Sequence, residues 1–228
     1  MKKTLLFAAA LSLISAAQVM ATTINITRYN GYYKSDGGEF NITPVIGNGD
    51  YASTVLVKGG YESFCIEADV NITIPGTYNA TLSATDAAAD GKALSKGTAY
   101  LYRKFATGTL SGYVYVAGLG RENSAYALQN AIWYLEGEAD SGAGLTLAQE
   151  AINGSYYLGI VTTYFGSLAI AQANANGAFN VGVLNVYRAN GTPTQDQLAL
   201  VPDGGATAIL LGLALGGLGL VSRRVKRA

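Results

Sequence analysis

The sequence predicts an α+β domain held between two export-related ends. Three observations carry that class. Residues 22–74 alternate apolar and polar positions between glycine-rich turns. Residues 93–173 switch to helical spacing. Residues 179–201 then return to alternation. No repeat interrupts this order of strands, helices and closing strands.

The first element is a leader. Lys2 and Lys3 precede an apolar run over residues 5–17, and Val19 and Ala21 stand at the spacing of a signal-peptidase site. This is the pattern of a secretory signal peptide over residues 1–21, with cleavage by signal peptidase after Ala21. The domain is then residues 22–200.

Inside it, residues 23–27 alternate as Thr-Ile-Asn-Ile-Thr. Gly37-Gly38 and Gly47-Asn48-Gly49 mark turns around a strand at 39–46. A strand at 51–57 follows, and Gly59-Gly60 leads into another at 61–66. Gly76 opens a short strand at 77–82. The period then changes. Residues 93–106 read as a helix stopped by Gly108. A second helix starts at an Asn123 or Ser124 cap and runs to Leu135, where Gly137 stops it. A short helix is expected at 146–152. A long one is expected at 155–173, with Tyr156, Gly159, Ile160, Thr163, Tyr164, Leu168 and Ile170 as its apolar stripe. Residues 179–187 alternate again, Asn190-Gly191 turns, and 197–201 pairs back as a hairpin.

The last element has three parts. Val201, Pro202, Asp203, Gly204 and Gly205 form a turn-like motif. An apolar run covers 206–221, and Arg223, Arg224, Lys226 and Arg227 close the chain. Sixteen helical residues span about 24 Å, short of a ~30 Å hydrocarbon core. The basic cluster acts as a stop-transfer signal, staying cytoplasmic by the positive-inside rule.

Composition narrows the function. Six of the 15 basic residues and one of the 15 acidic residues lie in the two ends. That leaves nine against 14, a net charge of −5 for the domain. Phosphate neutralisation needs the opposite sign, so no nucleic-acid partner is expected. Histidine is absent, which removes Ser-His-Asp and Cys-His mechanisms and His-ligated zinc. No metal, cofactor or enzymatic turnover is expected.

A single cysteine, Cys65, lies in the stretch Ser63-Phe64-Cys65-Ile66-Glu67-Ala68-Asp69. In an oxidising compartment such a thiol is buried, paired with another chain, or reactive. On the second helix Leu128, Ile132 and Leu135 form an apolar face. Gln129 lies beside them, one turn before Trp133. A glutamine next to a buried stripe needs hydrogen-bond partners or another role.

Two resemblances sharpen this reading. The tail over residues 201–228 resembles the PEP-CTERM class of sorting tails in its VPD-Gly variant. That resemblance implies a Gram-negative exporter. It also implies an exosortase-type membrane protease that processes the tail near residues 201–205, after the chain has paused in the inner membrane. The cell surface or extracellular matrix is the implied destination.

Phe64-Cys65-Ile66, followed by Leu128-Gln129-Asn130-Ala131-Ile132-Trp133, resembles the paired motifs of bacterial thioester domains. The resemblance implies a β-barrel or sandwich with an inserted helical lobe. It further implies an internal bond between Cys65 and Gln129, formed as the sulfur displaces ammonia from the amide. An amine or hydroxyl on a surface or matrix target would then attack that bond. Phe64 and Trp133 would shield it from water, and Tyr61 or Tyr126 would donate to its carbonyl. The competing expectation is a structural surface or matrix protein of the same fold with Cys65 simply buried.

Other clusters carry less. Glu62, Glu67 and Asp69 are oxygen donors for calcium, but no Asp-rich loop frames them. Glu136 and Glu138 flank Gly137 with nothing else of a glycosidase around them. Tyr29, Tyr32 and Tyr33 read as cross-strand packing before sugar stacking.

Overall fold

The computed structural model describes residues 21–46, 56–57, 59–83, 87, 91–138 and 145–201. The leader, the turn at 47–49 and the tail beyond Val201 lie outside these residues. No helix among the described residues is long and apolar enough to cross a membrane.

The fold is a mixed sheet-and-helix domain, as the alternation and its interruption predict. Seven antiparallel strands form one sheet. They are β1 (Ala21–Thr27), β4 (Phe40–Ile46), β5 (Leu56–Val57), β6 (Gly60–Ser63), β7 (Gly76–Ser83), β8 (Val181–Tyr187) and β9 (Gln197–Leu200). Their order is β5-β6-β4-β1-β7-β8-β9. A separate two-stranded ribbon joins β2 (Tyr33–Lys34) to β3 (Gly37–Gly38), so Gly37-Gly38, expected as a turn, is a paired strand.

The sheet nearly closes on itself. The chain leaving β6 runs on beside β9. Leu198 N–H donates to the Phe64 carbonyl at 3.0 Å, Ile66 N–H donates to that of Asp196 at 3.3 Å, and Cys65 bridges Gln197. The expected strand at 61–66 is therefore two pieces, a strand ending at Ser63 and a seam at 64–66. Closure removes the unpaired backbone groups that a sheet edge exposes.

Alternation at the seam sends neighbours to opposite sides. Phe64 and Ile66 join one core with the helices, among Leu101, Phe105, Leu128, Ile132 and Leu198. Cys65 joins the other, with Ile24, Ile26, Phe40, Ile42, Tyr61, Leu184, Ala199 and Trp133.

The helices are α1 (Lys96–Ala106), α2 (Leu119–Glu136), α3 (Leu147–Asn153), α4 (Ser155–Phe165) and α5 (Leu168–Ala171). Ser95 caps α1 by accepting from Thr98 N–H, so α1 begins three residues later than its pattern indicates. Thr146 and Gln149 make a reciprocal capping box on α3. Gly137, at φ 73°, ends α2 in the left-handed conformation and donates to Trp133 and Tyr134 carbonyls.

Two expectations are corrected. α2 starts at Leu119 after Gly118, not at Asn123 or Ser124. Ser124 instead donates to the Gly120 carbonyl at 2.9 Å, and Asn123 accepts from Lys34 Nζ at 3.1 Å. The long helix at 155–173 is two helices, because Gly166 adopts φ 83° and Ser167 caps anew. Its buried face is Tyr157, Leu158 and Val161, and the expected stripe leaves Tyr156, Tyr164 and Ile170 exposed. Apolar side chains follow almost every turn there, so spacing alone cannot choose the face.

Candidate functional site

The site is built where the seam meets α2. Gln129 and Trp133 are four residues apart, so they share one stripe of the helix and point together. Leu128, Ile132 and Leu135 hold the other stripe in the helical core. The apolar stripe thus anchors α2 and fixes how Gln129 faces the sheet.

Cys65 and Gln129 meet there, 64 positions apart in sequence, and both are fully buried. The Cys65 thiol donates to Gln129 Oε1 at 3.5 Å. Gln129 Nε2 donates to the Cys65 carbonyl at 2.8 Å. The glutamine amide is therefore held at both ends by the same residue, which fixes its carbonyl beside the sulfur.

Both flanking aromatics are close, in different ways. Trp133 joins the apolar cluster of Cys65, and its indole N–H favours the thiolate without a complete hydrogen bond to any atom. Phe64 turns to the other core, edge-on to Phe105 at 5.0 Å between ring centroids. Trp133 covers the Cys65 side directly, whereas Phe64 seals the back of the seam.

Outside Trp133 lies a cleft of about 400 Å³. Trp133 forms part of its wall with Arg28, Asp36, Phe40, Asp69 and Gln195. Cys65 and Gln129 do not line it. The indole thus stands between the pair and this cleft.

Burial dominates the thiol's chemistry. It pushes Cys65 up to about 12, against the pull of Arg28 and with a further push from Glu67. Arg28 lies over the Phe40 ring at 3.9 Å and donates to the Asp36 carbonyl at 2.8 Å. Glu67 is itself held above the ordinary carboxylate range, first by burial and then by Asp196 beside it.

Sequence reasoning missed three supports. Gly37 of the ribbon packs on the helix: a Cβ there would lie 3.3 Å from Cβ and Cγ of Gln129. A side chain there would press on Gln129 and Tyr126, which would have to shift by a few tenths of an ångström. Glu39 and Arg121 form a buried bidentate pair, at 2.6 and 2.5 Å, joined by the Tyr113 hydroxyl at 2.5 Å. This pair ties α2 to the start of β4. Gln197 lies opposite Cys65 across the seam. Only a pairing map reveals these, since each partner is distant in sequence.

The other candidates resolve into packing. Glu62 accepts from Asn41 Nδ2 at 2.8 Å, Glu67 Oε2 accepts from Asp196 N–H at 2.9 Å, and Asp69 is exposed. No acidic cluster suited to a metal ion occurs among the described residues. Glu136 accepts from Ser95 N–H, and Glu138 pairs with Lys92. Tyr32 lies under Arg121 at 4.0 Å and Tyr33 under Arg28 at 5.0 Å. Tyr126, expected as a donor to the thioester carbonyl, accepts from Asn153 Nδ2 at its hydroxyl. Tyr61 lies in the same cluster as Cys65.

No curated protein and no solved structure matches the chain. One family model does: the VPDSG-CTERM motif matches residues 201–225. That match supports a PEP-CTERM-like sorting tail beginning at Val201, consistent with processing by an exosortase-type enzyme, and with it a secreted protein sorted by way of the membrane.

Proposed function

We propose that this chain is an exported surface protein whose domain stores an internal thioester between Cys65 and Gln129 and uses it to attach covalently to a target. The carrying observation is the 3.5 Å approach of the Cys65 sulfur to Gln129 Oε1 in a site closed to solvent.

The step balances without any added group. The sulfur adds to the amide carbon, the carbon–nitrogen bond breaks, and the thiol proton leaves with the nitrogen as ammonia. A target amine later adds to the same carbon and the sulfur takes back a proton. A hydroxyl gives an ester in the same way. Each chain makes one bond and turns over nothing. Held geometry replaces the histidine that other nucleophilic sites use. Exclusion of water by Trp133 protects the bond until a target arrives. The sorting tail supplies the delivery, and the cell surface or matrix is where such an electrophile meets its target.

A second reading rests on one observation. Cys65 is fully buried and its thiol is pushed up to about 12, as for an inert core cysteine. The chain is then a structural surface or matrix protein of the same fold. Intact mass of the full chain, exported from a Gram-negative host and purified in detergent, separates the two. The thioester reading expects a mass short by one ammonia, lost in Cys65→Ala and Gln129→Ala and shifted by methylamine. Full mass with no response to methylamine establishes the inert reading.

A further inference from the structure

Buried polar side chains almost always find a hydrogen-bond partner, so an exception calls for a reason. Gln197 is such an exception. It is fully buried, and neither its Oε1 nor its Nε2 has a partner.

Its position gives the reason. Gln197 pairs with Cys65 across the antiparallel seam, and directly opposed residues send their side chains to the same face, with Cβ atoms about 5 Å apart. The hydrogen bonds on either side, at Ile66 and Leu198, fix that register. Its β8 partner Leu184 and its strand neighbour Ala199 both lie in the cluster that holds Cys65 and Trp133. The Gln197 amide is thus an unspent donor on the face where the sulfur meets Gln129.

The reaction creates a demand for one. Before attack, the thiol hydrogen bonds to Gln129 Oε1. As the sulfur–carbon bond forms, the carbonyl electron pair moves onto Oε1. The thiol proton departs at the same time, so the oxygen gains charge as it loses its donor. Gln129 cannot answer with its own Nε2, which is committed to the Cys65 carbonyl. In a dry site such a charge needs a preplaced donor.

We propose that Gln197 Nε2–H is that donor, holding the Gln129 oxygen during both formation and aminolysis of the thioester. The pair of electrons returns from this oxygen when the carbon–nitrogen or carbon–sulfur bond breaks. The Trp133 indole N–H, also buried without a complete bond, is the neighbouring donor. This inference rests on the thioester reading.

The test is Gln197→Leu in the full chain, followed by intact mass against time in methylamine. The expected result is aminolysis slowed about a hundredfold, with the melting temperature kept or raised because two unpartnered buried atoms are removed. A purely structural role predicts the opposite pattern, a lower melting temperature at unchanged rate. Should leucine prevent folding, Gln197→Met, unbranched like glutamine, takes its place with the same expectation. A wild-type rate in the folded variant overturns the role of Gln197 alone. Full mass in the wild type overturns the thioester reading and this inference together.

Discussion

At the scale of single residues, burial sets the chemistry of Cys65. Burial pushes its thiol up to about 12, well above the ordinary thiol range. A reactive thiolate is therefore scarce at neutral pH, and each pH unit multiplies it about tenfold. Freshly folded chain should form the thioester about a hundredfold faster at pH 9 than at pH 7, read by loss of ammonia against time. The same shift has a stability sign. The folded value lies above the unfolded one, so the thiol's contribution is full below about pH 9 and is lost as pH rises toward 12. Glu67 follows the same rule from a lower start. Its folded carboxyl is raised by burial and by Asp196. Its contribution is present below the ordinary carboxylate range and is lost as pH climbs through the raised value. Glu67→Gln should flatten that slope, so that urea midpoints at about pH 5 and about pH 8 differ less than in the wild type. The motif residues Phe64, Cys65, Gln129 and Trp133 were legible in the sequence. The supports Gly37, Glu39, Arg121 and Gln197 were not, because glycine packing and long-range pairing leave no local pattern.

At the scale of elements, α2 is the part that positions the site, and two contacts hold it. Arg121 and Glu39 are both buried in a bidentate pair. Arg121→Met leaves the Glu39 carboxylate without its cation and should cost about 3–5 kcal/mol by urea denaturation at neutral pH. The loss should shrink at low pH, where Glu39 takes a proton. Gly154, between α3 and α4, is the second contact. A Cβ there would come 2.6 Å from the Ala131 nitrogen, within the turn that separates Gln129 from Trp133. Gly154→Ala should cost about 1–3 kcal/mol by forcing the helices apart, visible as a lower melting temperature. The helix ends show how far local signals reach. Gly137 stopped α2 as its sequence pattern indicates. The α2 start did not follow its pattern, since Gly118 opens the helix with no side-chain cap and Asn123 and Ser124 serve other contacts.

At the scale of the whole molecule, every described strand is paired before the sorting motif begins. β9 ends at Leu200, and Val201 N–H donates to the Asn180 carbonyl at 2.8 Å. Processing within residues 201–205 would leave all seven strands of the sheet intact. A chain ending at Val201 should keep the melting temperature of the full chain and lose its hold on the membrane, measured by fractionation of exporting cells. Mapping the C-terminal peptide of surface material should place its end inside 201–205.

The sequence by itself determined the mixed helix-and-strand class of fold, the sorting motif that begins at Val201 and the acidic charge of the domain, and it singled out Cys65 and Gln129 as residues to look for together. Periodicity, charge and short motifs are written locally, so they survive without coordinates. Only the tertiary structure decided that the sheet closes at Cys65, that α2 delivers Gln129 to the sulfur, that α4 buries Tyr157 rather than Tyr164, and that Gln197 waits across the seam without a partner. Those facts depend on which distant segments pair, and long-range register is set by the packing of the whole core.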